Sequence, residues 1–495
     1  MHRPALCLFA SLMTLPACAD GELPGIPPWT GDDAATADVP TWRPEGEFGL
    51  DQPRGALVLG DAEGSHAGWS VAPAGDLNGD GFGDVVVGAY SDARGGELSG
   101  STFIFYGPLQ GDLSASNADA VLIGEGAYDY SGWTAGPAGD VNGDGMDDVF
   151  VSAYGDDTIG PGSGAVYIVY GPVQGQMSLA DADVKILGAA AYDNAGIAAA
   201  SAGDLNGDGI DDLVIGSYGA DAGGPDAGAA FVFMGPISGH LNTNNAHVRI
   251  DGVLPGQWVG YSVASAGDMN ADGRDDLIVG AVGTPMHGED TGAAFLFLGP
   301  ITSDRTVLQA DAVVHGAAAG DRLGVTVAGA GDLNADGYAD VIIGTPYADV
   351  DGMVDAGAAY VIYGPWSGTR GAHQANAMFT GTDTDDQAGF SVSAAGDVDA
   401  DGYDDVIVGV LHDDRGAADA GAAAVFYGPA SGVRSVNDAD LSFLGLTSGD
   451  RAGGAVASAG DVNGDGRSDL LIGAHGYDGR ADDAGAAWLV LGGGF

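Results

Sequence analysis

One segment, Gly-Asp-x-Asn/Asp-x-Asp-Gly, recurs seven times in this chain, with its first Asp at Asp76, Asp140, Asp204, Asp268, Asp332, Asp397 and Asp461. The steps between copies are 64, 64, 64, 64, 65 and 64 residues. A register kept this closely marks a structural repeat, in which each unit buries its apolar face only against its neighbours. It also overrides the division of 495 residues into several ordinary domains, because a ring of repeats is one unit.

Each unit reads as four short strands. The first precedes the acidic loop, as in Gly68-Trp69-Ser70-Val71-Ala72. The second follows the loop as a continuous apolar run, Asp84-Val85-Val86-Val87-Gly88-Ala89, which suits a strand covered on both faces. The third is aromatic and β-branched, like Val166-Tyr167-Ile168-Val169-Tyr170, and in six units it ends in Gly-Pro, where the missing N–H stops the ladder. The fourth is the short segment before Gly124, Gly188, Gly252, Gly316, Gly381 or Gly445.

The count of fourth strands sets the topology. Residues 55–60 are a further copy placed before the first loop, while the last unit stops at its third strand, Trp488-Leu489-Val490-Leu491. Joining the two closes the ring and removes two open edges. The sequence therefore predicts an all-β, seven-bladed β-propeller over residues 55–495, with four antiparallel strands per blade and strand 55–60 completing the last blade. A monomer is expected.

The acidic loops place short oxygen-bearing side chains at alternate positions of a tight turn, the pattern of a calcium site. Position 1 is Asp76, Asp140, Asp204, Asp268, Asp332, Asp397 or Asp461. Position 3 is Asn78, Asn142, Asn206, Asn270, Asn334, Asp399 or Asn463, and position 5 is Asp80, Asp144, Asp208, Asp272, Asp336, Asp401 or Asp465. Position 7 varies freely, as expected if only its carbonyl is used: Phe82, Met146, Ile210, Arg274, Tyr338, Tyr403, Arg467. Position 9 is Asp84, Asp148, Asp212, Asp276, Asp340, Asp405 or Asp469. Position 6 is Gly in all seven, where the chain reverses and a Cβ is expected to clash. An EF-hand needs a bidentate Glu at position 12, and that position is Val or Ile here. The sites therefore sit in hairpin loops and hold up to seven Ca2+. A metal-free reading, in which Asn-Gly and Asp-Gly merely make good turns, does not account for four oxygens at fixed spacing.

Charge supports the same view. Asp and Glu number 70 against 15 Lys and Arg, a formal net of −55, which repels phosphate backbones and excludes nucleic acid as a partner. The two cysteines, Cys7 and Cys18, both lie in the first 20 residues. The propeller therefore has neither disulfides nor a cysteine-based zinc site.

Residues 1–17 read as an export signal, with Arg3 ahead of an apolar run too short to span a bilayer. Leu15-Pro16-Ala17-Cys18 resembles a bacterial lipobox, which makes Cys18 the expected lipidation site and the only link to a membrane. The competing small-x-small cleavage, Ala17-Cys18-Ala19, predicts free secretion instead. Residues 18–54, rich in Pro and Asp, read as a flexible tether.

These residues are similar to a known family. Gly260-Tyr261-Ser262-Val263-Ala264, the Gly-Asp-x-Asn-x-Asp-Gly loop and Asp276-Leu277-Ile278-Val279-Gly280-Ala281 resemble the FG-GAP repeat of the integrin α-subunit propeller. The Gly-aromatic signature is degraded at Gly196-Ile197, Gly324-Val325 and Gly453-Gly454. The resemblance implies seven blades, calcium loops on one face, and an extracellular or cell-surface adhesion or protein-binding module. It covers residues 55–495 and does not carry over heterodimeric adhesion.

Strand alternation puts the remaining loops on the opposite face, where aromatic residues gather: Tyr90, Tyr154 and Tyr218 at one repeated position, with Tyr128, Tyr130, Tyr192, Trp258, Tyr347 and His475 nearby. Tyr90, Tyr154, Tyr218, Trp258 and Tyr347 are candidate ligand-binding residues for an extracellular protein or a glycan; the alternative is that they cap the inner strands. The acids Asp156, Asp157, Asp413, Asp414, Asp482 and Asp483 on these loops read as solvated charge. Nucleophile elbows, zinc-binding His-Glu-x-x-His and phosphate loops are missing from the sequence, so a non-enzyme is expected. A carbohydrate-binding propeller and a polysaccharide lyase or hydrolase are the alternatives.

Overall fold

The computed structural model describes residues 45–51 and 55–493. The expected export signal, Cys18 and most of the expected tether lie outside the described residues. The architecture is seven sheets arranged as the blades of a propeller. In blade 1 the strands run Ser70–Gly75, Asp84–Ala89, Ser101–Phe105 and Ala120–Ile123, from the channel outward. All residues of the second and third strands are buried, because each sheet is covered on both faces by its neighbours. That explains their continuous apolar runs.

Seven apolar clusters fill the wedges between blades. In one, Val71, Phe103 and Phe105 of blade 1 meet Ala455, Leu471 and Leu489 of blade 7. Burying a phenylalanine such as Phe103 contributes about 2 kcal/mol, so each blade is stable only against a neighbour. Ring closure follows the expectation from sequence. Gly55–Leu59 pairs antiparallel with Ala486–Val490, Gly55 opposite Val490 and Leu59 opposite Ala486.

Each sheet has five strands, one more than expected. The fifth is a short parallel strand lent by the next blade from its third-to-fourth connection: Gly175–Ser178 of blade 2 pairs with Ala120–Ile123 of blade 1. Its alternation is too brief and too exposed to be read from sequence. In blade 6 the fifth strand comes from the N-terminal segment instead. Gly46–Gly49 pairs parallel with Leu441–Leu444 of blade 6, Phe48 stacks on Phe443 at 5.9 Å, and Leu50 is buried. The last residues of the segment read as tether thus belong to the ring.

Candidate metal centres and the opposite face

The acidic loops join the first and second strands of every blade at one end of the ring. Within the first loop, Asp76 Oδ1 accepts from the Gly79 and Asp80 amides at 2.8 and 3.0 Å, and its Oδ2 accepts from Gly81 N at 2.8 Å. Asn78 Oδ1 accepts from Asp80 N, and Asp80 Oδ1 from Phe82 N. The turn is thereby wound around its own carboxylates, leaving Asp76 and Asn78 half-buried, Asp80 and Phe82 exposed and Asp84 buried. The other six loops repeat the Asp84 burial.

Glycine at position 6 is required for a reason other than the expected clash. A Cβ on Gly81, Gly145, Gly209, Gly273, Gly337, Gly402 or Gly466 would meet nothing within 4 Å. Their φ values, between 85° and 91° apart from 84° at Gly273, are what L residues avoid. Position 4 is also left-handed, even where it is alanine, as at Ala271 with φ 58°.

Position 9 connects each loop to the blade's third strand. Asp84 Oδ2 accepts from Leu77 N at 2.9 Å, and its Oδ1 accepts from Gly107 N at 2.9 Å, the residue before Pro108. The equivalent bond to the end of the third strand recurs at Gly171, Gly235, Gly299, Gly364, Gly428 and Gly492. Each oxygen of such an aspartate retains a lone pair for a cation. Burial pushes these carboxyls up, against the pull of the backbone N–H bonds and with help from the neighbouring loop carboxylates. Asp84, Asp276 and Asp469 rise to about 6, Asp148, Asp212 and Asp340 to about 7, and Asp405 to about 8. A buried carboxyl facing two further carboxylates is costly unless something positive joins it. In the sixth loop Asp397, Asp399 and Asp405 each offer an oxygen, all within 4.8 Å of one another. The donor set fits a hard divalent cation.

A second set of loop residues was not singled out from sequence. The position-8 side chains Asp147, Asp211, Asp275 and Asp404 each accept from the position-1 backbone N–H of the preceding blade, at 2.8 to 3.1 Å. The glycine before position 1 admits them, since a Cβ on Gly75 would lie 2.2 Å from Asp147 Oδ2. Their signal was the recurrence of Asp at position 8, broken by Gly83, Ala339 and Ser468.

On the opposite face, the seven first strands enclose a cavity of about 550 Å3, lined by small residues and by Trp69, Trp133, Tyr261, Tyr347 and Phe390. Tyr90 and Tyr154 enter one aromatic cluster spanning blades 7, 1 and 2. Trp69 lies 4.6 Å from Trp133, 4.7 Å from Tyr90 and 4.9 Å from His475, and Trp133 lies 4.7 Å from Tyr154. Tyr218 sits apart from these, 6.3 Å from Trp258 and 6.0 Å from Tyr261. Tyr347 lies under the Arg322 guanidinium at 5.2 Å. The five candidate residues therefore form an arc of half-buried rings around the channel rather than one pocket. His475 is buried within the cluster, and burial holds its imidazole down at about 3.

Two acids read as solvated charge are buried instead. Asp156 bonds Lys185, the single lysine of the chain, and Asp413 bonds Arg415. Each side chain is too costly to bury without its cation. Asp157, Asp414, Asp482 and Asp483 are exposed as expected.

Comparison with known proteins agrees with this architecture. The FG-GAP repeat matches residues 67–101, 131–169, 195–233, 259–297, 323–362 and 452–490. The sixth blade, which carries the loop with four carboxylates, falls outside the matched residues and has the same five-stranded form. The chain is 36% identical over 220 residues to integrin alpha pat-2 of Caenorhabditis elegans, covering 42% of this chain and 17% of that protein. It is 35% identical over 231 residues to phosphatidylinositol-glycan-specific phospholipase D of Homo sapiens, covering 43% and 26%. To integrin alpha-IIb of Mus musculus it is 33% identical over 173 residues, covering 32% and 16%. It thus spans about a quarter or less of these relatives' length. Six matched repeats, one in every blade but the sixth, together with the integrin alpha relatives, place the chain in the integrin α-like FG-GAP repeat family.

Proposed function

We propose that this propeller is a calcium-loaded adhesion or protein-binding module that works outside the cell, anchored through Cys18 or freely secreted. The observation that carries the calcium reading is the burial of all seven position-9 aspartates beside further carboxylates, an arrangement that a divalent cation neutralises. Positions 1, 3, 5 and 9 would supply side-chain oxygens and position 7 its carbonyl. Bound calcium supplies positive charge to each loop. The chain's own residues do the rest: position 9 fastens the loop to the third strand, and in four loops the position-8 aspartate fastens blade to blade.

The partner-facing surface in this reading is the aromatic arc with the channel mouth, because half-buried Tyr and Trp offer apolar area together with a polar atom. The integrin alphas among the relatives favour a protein partner. Tyr128 and Tyr192, at 46% and 66% exposure on the same face, support a carbohydrate ligand as the second reading, through stacking on a sugar ring. The phospholipase activity named for one relative belongs to a protein of which the aligned part is 26%.

Elemental analysis of protein purified without chelator tests the first part, with about seven calcium ions per chain expected from the seven loops. Protein free of alkaline-earth metal that melts alike with and without chelator would refute it. For the second part, a metal-replete pull-down from cell-envelope extract and a glycan array are run with wild type and with Tyr154→Ala. A bound species that ignores the substitution removes the aromatic arc from the reading.

A further inference from the structure

Nine histidines are scattered along the sequence without ligand spacing, yet the fold brings three of them together at the rim between blades 4 and 5. His315 ends the outermost strand of blade 4, Ala312–His315, and is in register with Gly371 of the parallel strand Gly368–Gly371 lent by blade 5. His373 follows in the single 3-10 turn Ala372–Gln374. His287 comes from the loop between the second and third strands of blade 4. Its ring meets that of His315 edge-on, centroids 4.5 Å apart.

Gly371 shows that the space between these rings is kept clear. A Cβ there would lie 2.6 Å from His373 Cε1 and 3.2 Å from His315 Cε1, so the two imidazoles face each other across the missing side chain. The backbone does not ask for glycine, since φ at Gly371 is −83°. At the equivalent position the other turns carry Ser114, Ser178, Asn242, Thr306 and Ser435. Blade 5 alone among these gives up that side chain, and it does so where the histidines converge.

The hydrogen bonding of His315 points the same way. Its Nδ1 lies 3.0 Å from the Gly316 carbonyl, which can only accept, so Nδ1 carries the proton and Nε2 keeps its lone pair. A metal-ligating histidine is ordinarily held this way by a carbonyl on its other nitrogen. The three nitrogens are not yet within 4.8 Å of one another. His287 and His373 are exposed, free to rotate about χ1 and χ2 and close the shell.

We propose that His287, His315 and His373 bind a transition-metal ion of the Zn2+ class, with water completing a tetrahedral shell, and that this ion clips blade 4 to the strand lent by blade 5. Imidazole nitrogen suits Zn2+, Cu2+ and Ni2+, whereas calcium selects oxygen. The carboxylate loops and the histidine rim therefore sort metals by ligand chemistry.

The test is a Zn2+ titration of the full chain in millimolar calcium, which keeps the loops filled, read by competition with a chromophoric chelator. Wild type is expected to take up one Zn2+ per chain that His315→Ala or His373→Ala weakens by roughly ten-fold or more. Unchanged calcium-dependent melting confirms that each variant is folded. With Cu2+ as probe, the wild-type electron paramagnetic resonance spectrum is expected to show nitrogen hyperfine structure. Calcium-saturated wild type that takes up no Zn2+, or a His287/His315/His373 triple alanine variant that retains wild-type affinity, overturns the proposal.

Discussion

Asp147 Oδ2 accepts a hydrogen bond from the backbone N–H of Asp76 at 2.8 Å, across the boundary between blades 1 and 2. Because Asp76 also opens the first acidic loop, the bond couples the loop of one blade to the packing of the next. Replacing Asp147 by Ala removes a charged acceptor and leaves a half-buried amide unpaired. The expected loss is about 1–2 kcal/mol in urea denaturation of the calcium-saturated protein, with Asp147→Asn losing less. Equal stability of Asp147→Ala and wild type would mean that water replaces the latch.

Asp405 is the most strongly raised of the position-9 carboxyls, to about 8, with burial as the main cause. Asp405→Asn is therefore expected to act with opposite signs in two conditions. In calcium it removes a ligand and lowers the melting temperature. In chelator at about pH 8 it removes a carboxylate that burial penalises, and the melting temperature rises or holds. A fall of equal size in both conditions, measured by differential scanning calorimetry, would separate Asp405 from cation binding.

The position-9 carboxyls also set a pH dependence for the metal-free protein. Their folded values, from about 6 to about 8, lie above the ordinary 3.8, so the folded state binds more protons than the unfolded one between these limits. Stability in chelator is then greatest below about pH 4 as far as these groups are concerned, and falls as pH rises through 6 to 8. On the proposed calcium reading, the bound ion is expected to hold the same groups ionised and to flatten or reverse that slope. His475 acts the other way. Its folded value of about 3 lies below the ordinary 6.5, so its contribution is present above pH 6.5 and is lost as pH falls toward 3. Melting curves at intervals from pH 5 to 9, with and without chelator, distinguish the two regimes. A chelator curve that climbs with pH would refute the assignment of the carboxyls.

The N-terminal strands predict a graded response to truncation. Removing residues up to 51 deletes the strand Gly46–Gly49 and its pairing with blade 6, and is expected to lower the melting temperature while leaving a folded ring. Removing residues up to 60 also deletes Gly55–Leu59 and opens blade 7 along Ala486–Val490. That protein is expected to aggregate or to lose cooperative unfolding. If the longer deletion melts like the shorter, closure by this strand does not hold the ring together.

Periodicity alone determined the seven blades, the recurrence of the acidic loops and the strand that closes the ring. A repeat every 64 or 65 residues records local chemistry: turn residues, buried strands and a fourth strand displaced to the N-terminus. Only the tertiary structure decided what crosses from one blade to another. The parallel fifth strands, the Asp147–Asp76 latch and the His287, His315 and His373 cluster all join residues from different units, and even where a residue type recurs, as Asp does at position 8, the pattern does not say which residue it meets. The bond from Asp84 to Gly107 is of the same kind within a blade. Such contacts depend on how twisted sheets meet at their edges, and the pattern within one unit does not specify that.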